Sequence, residues 1–250
     1  MSKPFVLLAM NAFNRERFIV EAIESVLAQD YKGWQLHITD DGSTDSTPSI
    51  IESYVRKDDR IQATYFRANQ GPAAALQESS RREATYLGWI DSDDALHPKA
   101  LSELLPVMTD DPKLDCVYSQ YNTMTEQGTD TGLGYRCQIP YSPTRLLSDF
   151  MVFHFRLMKW TAYKAIGLDV RFKAAIDYEF FLRFSEKYLV QHFPKSLYRY
   201  RQHYHSISGR SQAFQSECAE IAIKNALKRR YLSTQPPLTT KDDQFFLKVL

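Results

Sequence analysis

The first 120 residues alternate short apolar runs with segments whose apolar residues recur at helical spacing. That alternation leaves few folds open. It is the pattern of βα units on a mostly parallel sheet, whose buried strands need uninterrupted apolar stretches. Phe5 to Met10 reads as the first strand, and Phe18, Ala22, Ile23, Val26 and Leu27 place a helix over about Glu16 to Gln29. Gln35 to Asp40 is a second strand that ends in the polar turn Asp40-Asp41-Gly42-Ser43-Thr44-Asp45, where Thr44 or Asp45 can cap a helix carrying Ile50, Ile51, Tyr54 and Val55. Ile61, Ala63 and Tyr65 alternate in a third strand. Asn69-Gln70-Gly71-Pro72 then opens an alanine-rich helix through about Ala84, with Pro72 suited to its first turn. Tyr86 to Ile90 is a fourth strand running into Asp91-Ser92-Asp93-Asp94.

A helix near Pro98 to Met108 and a strand near Asp115 to Asn122 follow, after which the alternation fails. Residues 123–145 hold three of the nine glycines and read as a loop or small excursion. Phe153 to Tyr200 is aromatic-rich and includes a helix opening near Asp177 with Phe180, Phe181 and Phe184. Ala219, Ala222, Ile223, Ala226 and Leu227 form the stripe of a further helix with Lys224, Lys228, Arg229 and Arg230 at its end, where cations complement the helix dipole. Pro236-Pro237 breaks that helix, and a final short one is expected beyond it.

The formal net charge is +1, from 31 Lys plus Arg and 30 Asp plus Glu. Near-neutrality disfavours a disordered tail protein and a strongly basic nucleic-acid binder. The balance is nevertheless segregated, with 12 basic against 19 acidic residues in 1–125 and 19 against 11 in 126–250. Cys116, Cys137 and Cys218 lack metal-ligand spacing and read as free thiols of a reducing compartment. The six-residue run Phe5 to Met10 is far short of a bilayer span and short for a secretory core, so a cytoplasmic chain is expected.

Two acidic clusters at strand ends, Asp40/Asp41 and Asp91/Asp93/Asp94, should share one edge of one sheet, where open α/β folds bind ligands. Hard divalent ions take carboxylate oxygens and bind substrate phosphates, so Asp-x-Asp here suggests a metal–diphosphate site; a solvated turn is the plainer alternative. A calcium loop fails, with Leu96 at the sixth position and Ser102 at the twelfth. A phosphoryl- or nucleotidyl-transferring enzyme would also use Asp-x-Asp, though such a motif belongs on a first strand. Neither Gly-x-Gly-x-x-Gly after the first strand nor a Gly-rich Lys-Ser/Thr loop occurs, which removes dinucleotide and P-loop readings.

Six stretches in order, over about residues 4 to 209, resemble family 2 glycosyltransferases of the GT-A fold. Ala12-Phe13-Asn14-Arg15 is similar to that family's stretch after the first strand, and Glu21 to Gln29 to its first helix. Asp40 to Asp45 resembles its nucleotide-binding turn, with Asn69 and Gly71 following, and Trp89 to Asp94 its metal motif. Asp177 to Arg183 resembles its catalytic helix, and Leu197 to Ser208 its closing strand and loop. The implied fold is a twisted, mostly parallel sheet flanked by helices. Residues 1–209 would be the transferase domain, divided into a donor-binding half (1–122) and an acceptor-side half (123–209), with 210–250 a helical extension.

The resemblance implies an inverting transfer from a nucleotide sugar, with UDP expected, to a hydroxyl of a glycan or lipid-linked acceptor, with Mn²⁺ or Mg²⁺ as cofactor. Asp177 would be the catalytic base, the alternative being a simple helix cap. Asp41 would take the nucleobase N–H while Phe13 packs on the ring; for Phe13 the plainer role is core packing. Asn11, Asn69 and Asp91 would complete the donor site, although Asn11 and Ala12 depart from the family's commoner Pro or Thr and Thr or Ser. Asp93 and His203 would hold the metal, with His205 a rival. Without metal, the donor cleft is expected to be strongly acidic. Arg156, Lys159, Arg199 and Arg201 are either solvated, or steer an anionic donor or face lipid headgroups, and the basic stretch from Gln212 packs on its own domain or touches a membrane surface. An inactive, glycan-binding relative is the non-enzymatic reading.

Overall fold

The computed structural model describes residues 5–204 and 212–232. Its nine strands form one sheet. The first four elements of the sequence reading are present as β1 (Val6–Ala12), β2 (Trp34–Asp40), β3 (Ile61–Tyr65) and β4 (Tyr86–Asp91), all mutually parallel in the order β3-β2-β1-β4. Between them run α1 (Ile19–Leu27), α2 (Thr47–Val55) and α3 (Pro72–Ser79). Helix α1 starts three residues later than its periodicity predicts, because Asn14 takes a left-handed φ of 53° and the Arg15 carbonyl accepts both the Phe18 and Ile19 amides. Pro72 is the first residue of α3, as read; that helix ends at Ser79, short of Ala84.

The remaining strands are β5 (Ala95–Leu96), β6 (Cys116–Met124), β7 (Asp130–Leu133), β8 (Arg156–Lys159) and β9 (Val190–Arg201), extending the sheet as β4-β8-β6-β9-β5 with β7 on β6. β6 and β9 continue the parallel direction as a pair, while β8 is antiparallel to both β4 and β6. Helices α4 (Ala100–Asp110), α5 (Trp160–Ile166), α6 (Ile176–Phe184) and α7 (Gln212–Leu232) cover the faces. Residues 123–145 are thus more than a loop. β7 folds back on Asn122 to Met124 through a turn in which Gly128 has φ +86°, and two short 3₁₀ turns follow. Its polar, exposed residues carry no apolar alternation from which the strand could be read.

β1 is buried throughout its first five residues and feeds both faces. Val6, Leu8 and Met10 join one core with α1 and α4; Leu7 and Ala9 join the other with Trp89, α5 and α6. Ile23 of α1 is fully buried in the first core, and truncating it to Ala would cost about 2–5 kcal/mol. The stripe on α7 does pack on its own chain: Ala222, Ala226 and Leu227 are buried in the second core, with Ala219 and Ile223 against it. The three thiols are unpaired and buried. No described helix is long and apolar enough to cross a membrane. The second short C-terminal helix and His205 fall outside the described residues.

Candidate functional site

Register brings the acidic clusters together. Asn11 of β1 pairs with Asp91 of β4, and Ala12 with Asp40 of β2, so the three strands reach the same edge at the same level. The antiparallel β8 begins at that edge, and β9 ends beside β5 next to the Asp-rich turn. A cavity of about 320 Å³ opens there, lined by Asn11, Phe13, Asp41, Asn69, Asp91 and Asp93 together with Arg15, Pro72, Ser92, Tyr200 and Arg201. All five residues read as donor-binding, and one of the two read as metal-binding, therefore share a single wall. Phe13 is 39% exposed on that wall and is not a core residue.

Asp41 is buried and oriented. Its Oδ1 accepts the Gln70 amide at 2.7 Å and its Oδ2 the Gly71 amide at 2.9 Å, while its own amide donates to the Ala12 carbonyl at 2.8 Å. Burial pushes its carboxyl up, and the two amides offset part of that rise. Asp45 ties the same turn down, accepting the Thr47 amide at 2.9 Å at the start of α2 and the Glu16 amide at 3.1 Å.

The Asp-rich turn is not left bare. Asp93 Oδ2 accepts Arg15 Nε at 3.0 Å and lies 3.0 Å from His203 Nε2. Burial alone would raise Asp93, but the His203 contact and the Arg15 charge outweigh it and hold the carboxyl below its usual range. Asp94 is buried and accepts the Arg201 amide at 2.7 Å, and its carboxyl is pushed well above the usual range by burial and by the adjacent Asp93 and Asp91. Arg201 is itself buried, donating to the Asp93 carbonyl at 2.8 Å, to the Glu126 carbonyl at 2.8 Å and to Glu21. Arg15 and Arg201 thus offset part of the acidic charge that the sequence predicts for the cleft. Arg156 and Arg201 are likewise buried and paired rather than solvated or facing lipid, and Lys159 binds Asp115 at 2.9 Å.

Sequence reasoning missed His154. It is buried, stacks on Tyr198 with ring centroids 4.8 Å apart, and places Nε2 3.2 Å from Asp91 Oδ2. Asp91, Asp94 and His154 offer ligand atoms all within 4.8 Å of one another, the one such group found among the described residues. The Asp94 carboxyl is buried beside the Tyr198 hydroxyl. Two carboxylates and an imidazole make a donor set that fits a divalent cation. No local motif marks His154; only the antiparallel path of β8 carries it to Asp91.

Asp177 stands in the first turn of α6 but does not cap it: Ala175 is the N-cap, and Asp177 Oδ1 takes only the adjacent Tyr178 amide at 2.9 Å. Its Oδ2 accepts Arg156 Nη2 at 2.7 Å.

The parallel sheet thus ends in buried and half-buried carboxylates beside a cavity at the C-terminal edge of its strands, where open α/β folds bind ligands. The family model described as "Glycosyl transferase family 2" matches residues 8–167, and the chain belongs to that family. It is 29% identical over 228 residues to a chondroitin synthase of Escherichia coli, covering 90% of this chain and 33% of that protein. A hyaluronan synthase of Pasteurella multocida is 27% identical over 229 residues, covering 91% of this chain and 23% of that protein. The chain thus spans about a third or less of the length of these relatives. Among solved structures, S. aureus TarS 1–349 in complex with UDP-GlcNAc aligns with a TM-score of 0.70 at 18% identity, covering 90% of this chain and 67% of that one. A Pyrobaculum calidifontis mannosyltransferase in complex with GDP-Man and Mn²⁺ aligns with a TM-score of 0.62 at 14% identity, covering 100% and 80%. The fold is the GT-A type that the sequence motifs imply.

Proposed function

We propose that this chain is a metal-dependent, inverting glycosyltransferase that moves a sugar from a UDP-sugar to a hydroxyl of a glycan or lipid-linked acceptor in polysaccharide synthesis. The observation that carries the reading is the single cavity where Asn11, Phe13, Asp41, Asn69, Asp91 and Asp93 converge beside Arg15 and Arg201. Asp41 presents a buried, oriented carboxylate to a nucleobase N–H, and exposed Phe13 offers a ring face. Asn11, Asn69 and Asp91 surround the ribose and diphosphate.

Asp93 and His203, with the neighbouring Asp91, Asp94 and His154, are the residues that would hold Mn²⁺ or Mg²⁺. When bound, the ion neutralises charge developing on the leaving diphosphate. Arg15 and Arg201 supply further positive charge on the same wall. Asp177 accepts the proton of the acceptor hydroxyl as its oxygen bonds to the anomeric carbon, while the bond to the diphosphate breaks and its electron pair leaves with UDP. The chemistry of a glycosidase, two carboxylates flanking one bond, is not required. Relatives that make chondroitin and hyaluronan support a polysaccharide product. Three unpaired thiols suit a reducing, cytoplasmic setting.

The test is a panel of nucleotide sugars assayed for nucleoside diphosphate release with Mn²⁺ and with chelator. Metal-dependent release of UDP is expected. Release of inorganic phosphate, or turnover indifferent to chelator, overturns the reading.

A further inference from the structure

The strand β8 begins with a cation that the transfer chemistry described above leaves unused. Arg156 is 1% exposed, yet an unpaired guanidinium is among the costliest groups to take out of water. Its Nε donates to the Val152 carbonyl at 2.8 Å, and its Nη2 donates to Asp177 Oδ2 at 2.7 Å. Around it lie the rings of Phe181, Phe150 and Phe153, with centroids 5.2, 5.4 and 5.8 Å from the guanidinium carbon. These faces favour the cation electrostatically and keep water away from it.

We infer that Arg156 is the positioning residue of the transfer step, fixing the Asp177 carboxylate in the one orientation from which it takes the acceptor proton. Arg156 holds Oδ2, and the Tyr178 amide holds Oδ1 from within α6. Two contacts from two elements set the plane of the carboxylate, whose side chain remains 30% exposed for an acceptor. The guanidinium suits this task because its fork is planar and its charge is permanent, so orientation survives any change of pH in the working range. The base therefore acts from a fixed placement, as proton transfer at an oriented group requires. The inference rests on the reading of Asp177 as the base.

The experiment uses the full chain in five forms: wild type, Arg156→Met, Arg156→Lys, Asp177→Asn and the double variant Arg156→Met/Asp177→Asn. UDP release is measured with the UDP-sugar selected by the panel. Arg156→Met should lower kcat about 10- to 100-fold and leave the donor KM within about twofold, and Arg156→Lys should recover part of kcat. If Arg156→Met keeps wild-type kcat, or raises donor KM in proportion to its loss, the positioning role is wrong. If Asp177→Asn keeps wild-type kcat, the base reading is wrong instead, so the two failures are distinct. Thermal unfolding decides the pairing without any turnover: Asp177→Asn strands a buried cation, so it should melt below the double variant. Strictly additive melting shifts, or a double variant that melts lowest, would overturn the pair. Should Arg156→Met fail to fold, Arg156→Lys is judged by the same kcat and KM criteria.

Discussion

Gly42 gives the sharpest test of how the nucleotide-binding turn is built. It follows Asp41 with φ +73°, and a Cβ there would lie 2.7 Å from the Ala68 carbonyl carbon, 2.8 Å from the Asn69 nitrogen and 2.9 Å from the Ala68 Cα. All three are backbone atoms, so no side chain can rotate away. Gly42→Ala should lose about 1–2 kcal/mol to the left-handed conformation and about 1–3 kcal/mol to overpacking, together about 2–5 kcal/mol. With a urea slope of about 2–3 kcal/mol/M, the unfolding midpoint falls by about 1–2 M. The displaced backbone leads directly into Gln70 and Gly71, whose amides orient Asp41. Disturbing one hydrogen bond to a charged group costs about 1.5–3 kcal/mol, which corresponds to about a tenfold or greater rise in donor KM. Gly167→Ala is the control. Its φ is also positive, at +64°, but no atom lies within 4 Å of the added Cβ, so it should lose stability to backbone strain and leave donor KM unchanged. A wild-type midpoint for Gly42→Ala, or an equal KM change in both variants, would refute the reasoning.

Asp93→Asn should weaken UDP binding, measured by calorimetry, about tenfold or more with Mn²⁺ present, and the difference from wild type should vanish in chelator; a difference that persists in chelator would sever Asp93 from the metal. Gly88→Ala, in the centre of the sheet, places a Cβ 2.5 Å from Phe155 Cζ and 3.0 Å from Leu8 Cδ2, both in fully buried side chains, so urea unfolding should show a loss of about 1–3 kcal/mol. His37 is buried on β2 with its Nε2 2.9 Å from Thr64 Oγ1, and burial, aided by Arg82 and Arg81, lowers its pKa to about 4. Its unfolded value is higher, so the unfolded chain binds the extra proton first, and the stability present above about pH 6.5 is lost as pH falls toward 4. Urea unfolding at pH 7.5 and pH 5 should differ by about 1–2 kcal/mol more in wild type than in His37→Gln; identical pH dependence in the two proteins would show that His37 is not responsible.

The parallel half of the sheet and its ligand edge were readable because they rest on local signals. β1, β2 and β4 are apolar runs followed at once by polar turns, and Asp41, Asp91 and Asp93 sit in those turns. Pro72 marked the start of α3 for the same reason, a local backbone constraint. β7 and β8 were illegible. β7 is polar and exposed, and the four residues of β8 are too few to show a period. The functional consequence was larger than the structural one. His154 and Arg156 belong to the antiparallel return through β8, and what brings them to Asp91 and Asp177 is sheet topology, which no spacing in the sequence records.

The same topology explains the segregated charge. The acidic surplus of residues 1–125 meets the basic surplus of residues 126–250 in pairs that cross the chain: Arg199 and Arg201 with Glu21, Lys159 with Asp115 and Lys195 with Glu103. Two of these four pairs join β9 to α1 through Glu21, and Arg201 also reaches the Asp93 carbonyl, so the second half of the chain supplies countercharge beside the site that the first half builds. Such a division has a mechanical consequence. The carboxylates at the ends of β2 and β4 stand close together with Arg15 and, from β9, Arg201 beside them, because like charges at that edge otherwise repel across a few ångströms. The donor cavity and the acceptor-side strands are therefore not independent modules: loss of β9 docking would open the turn that carries Asp93 as surely as a substitution within it.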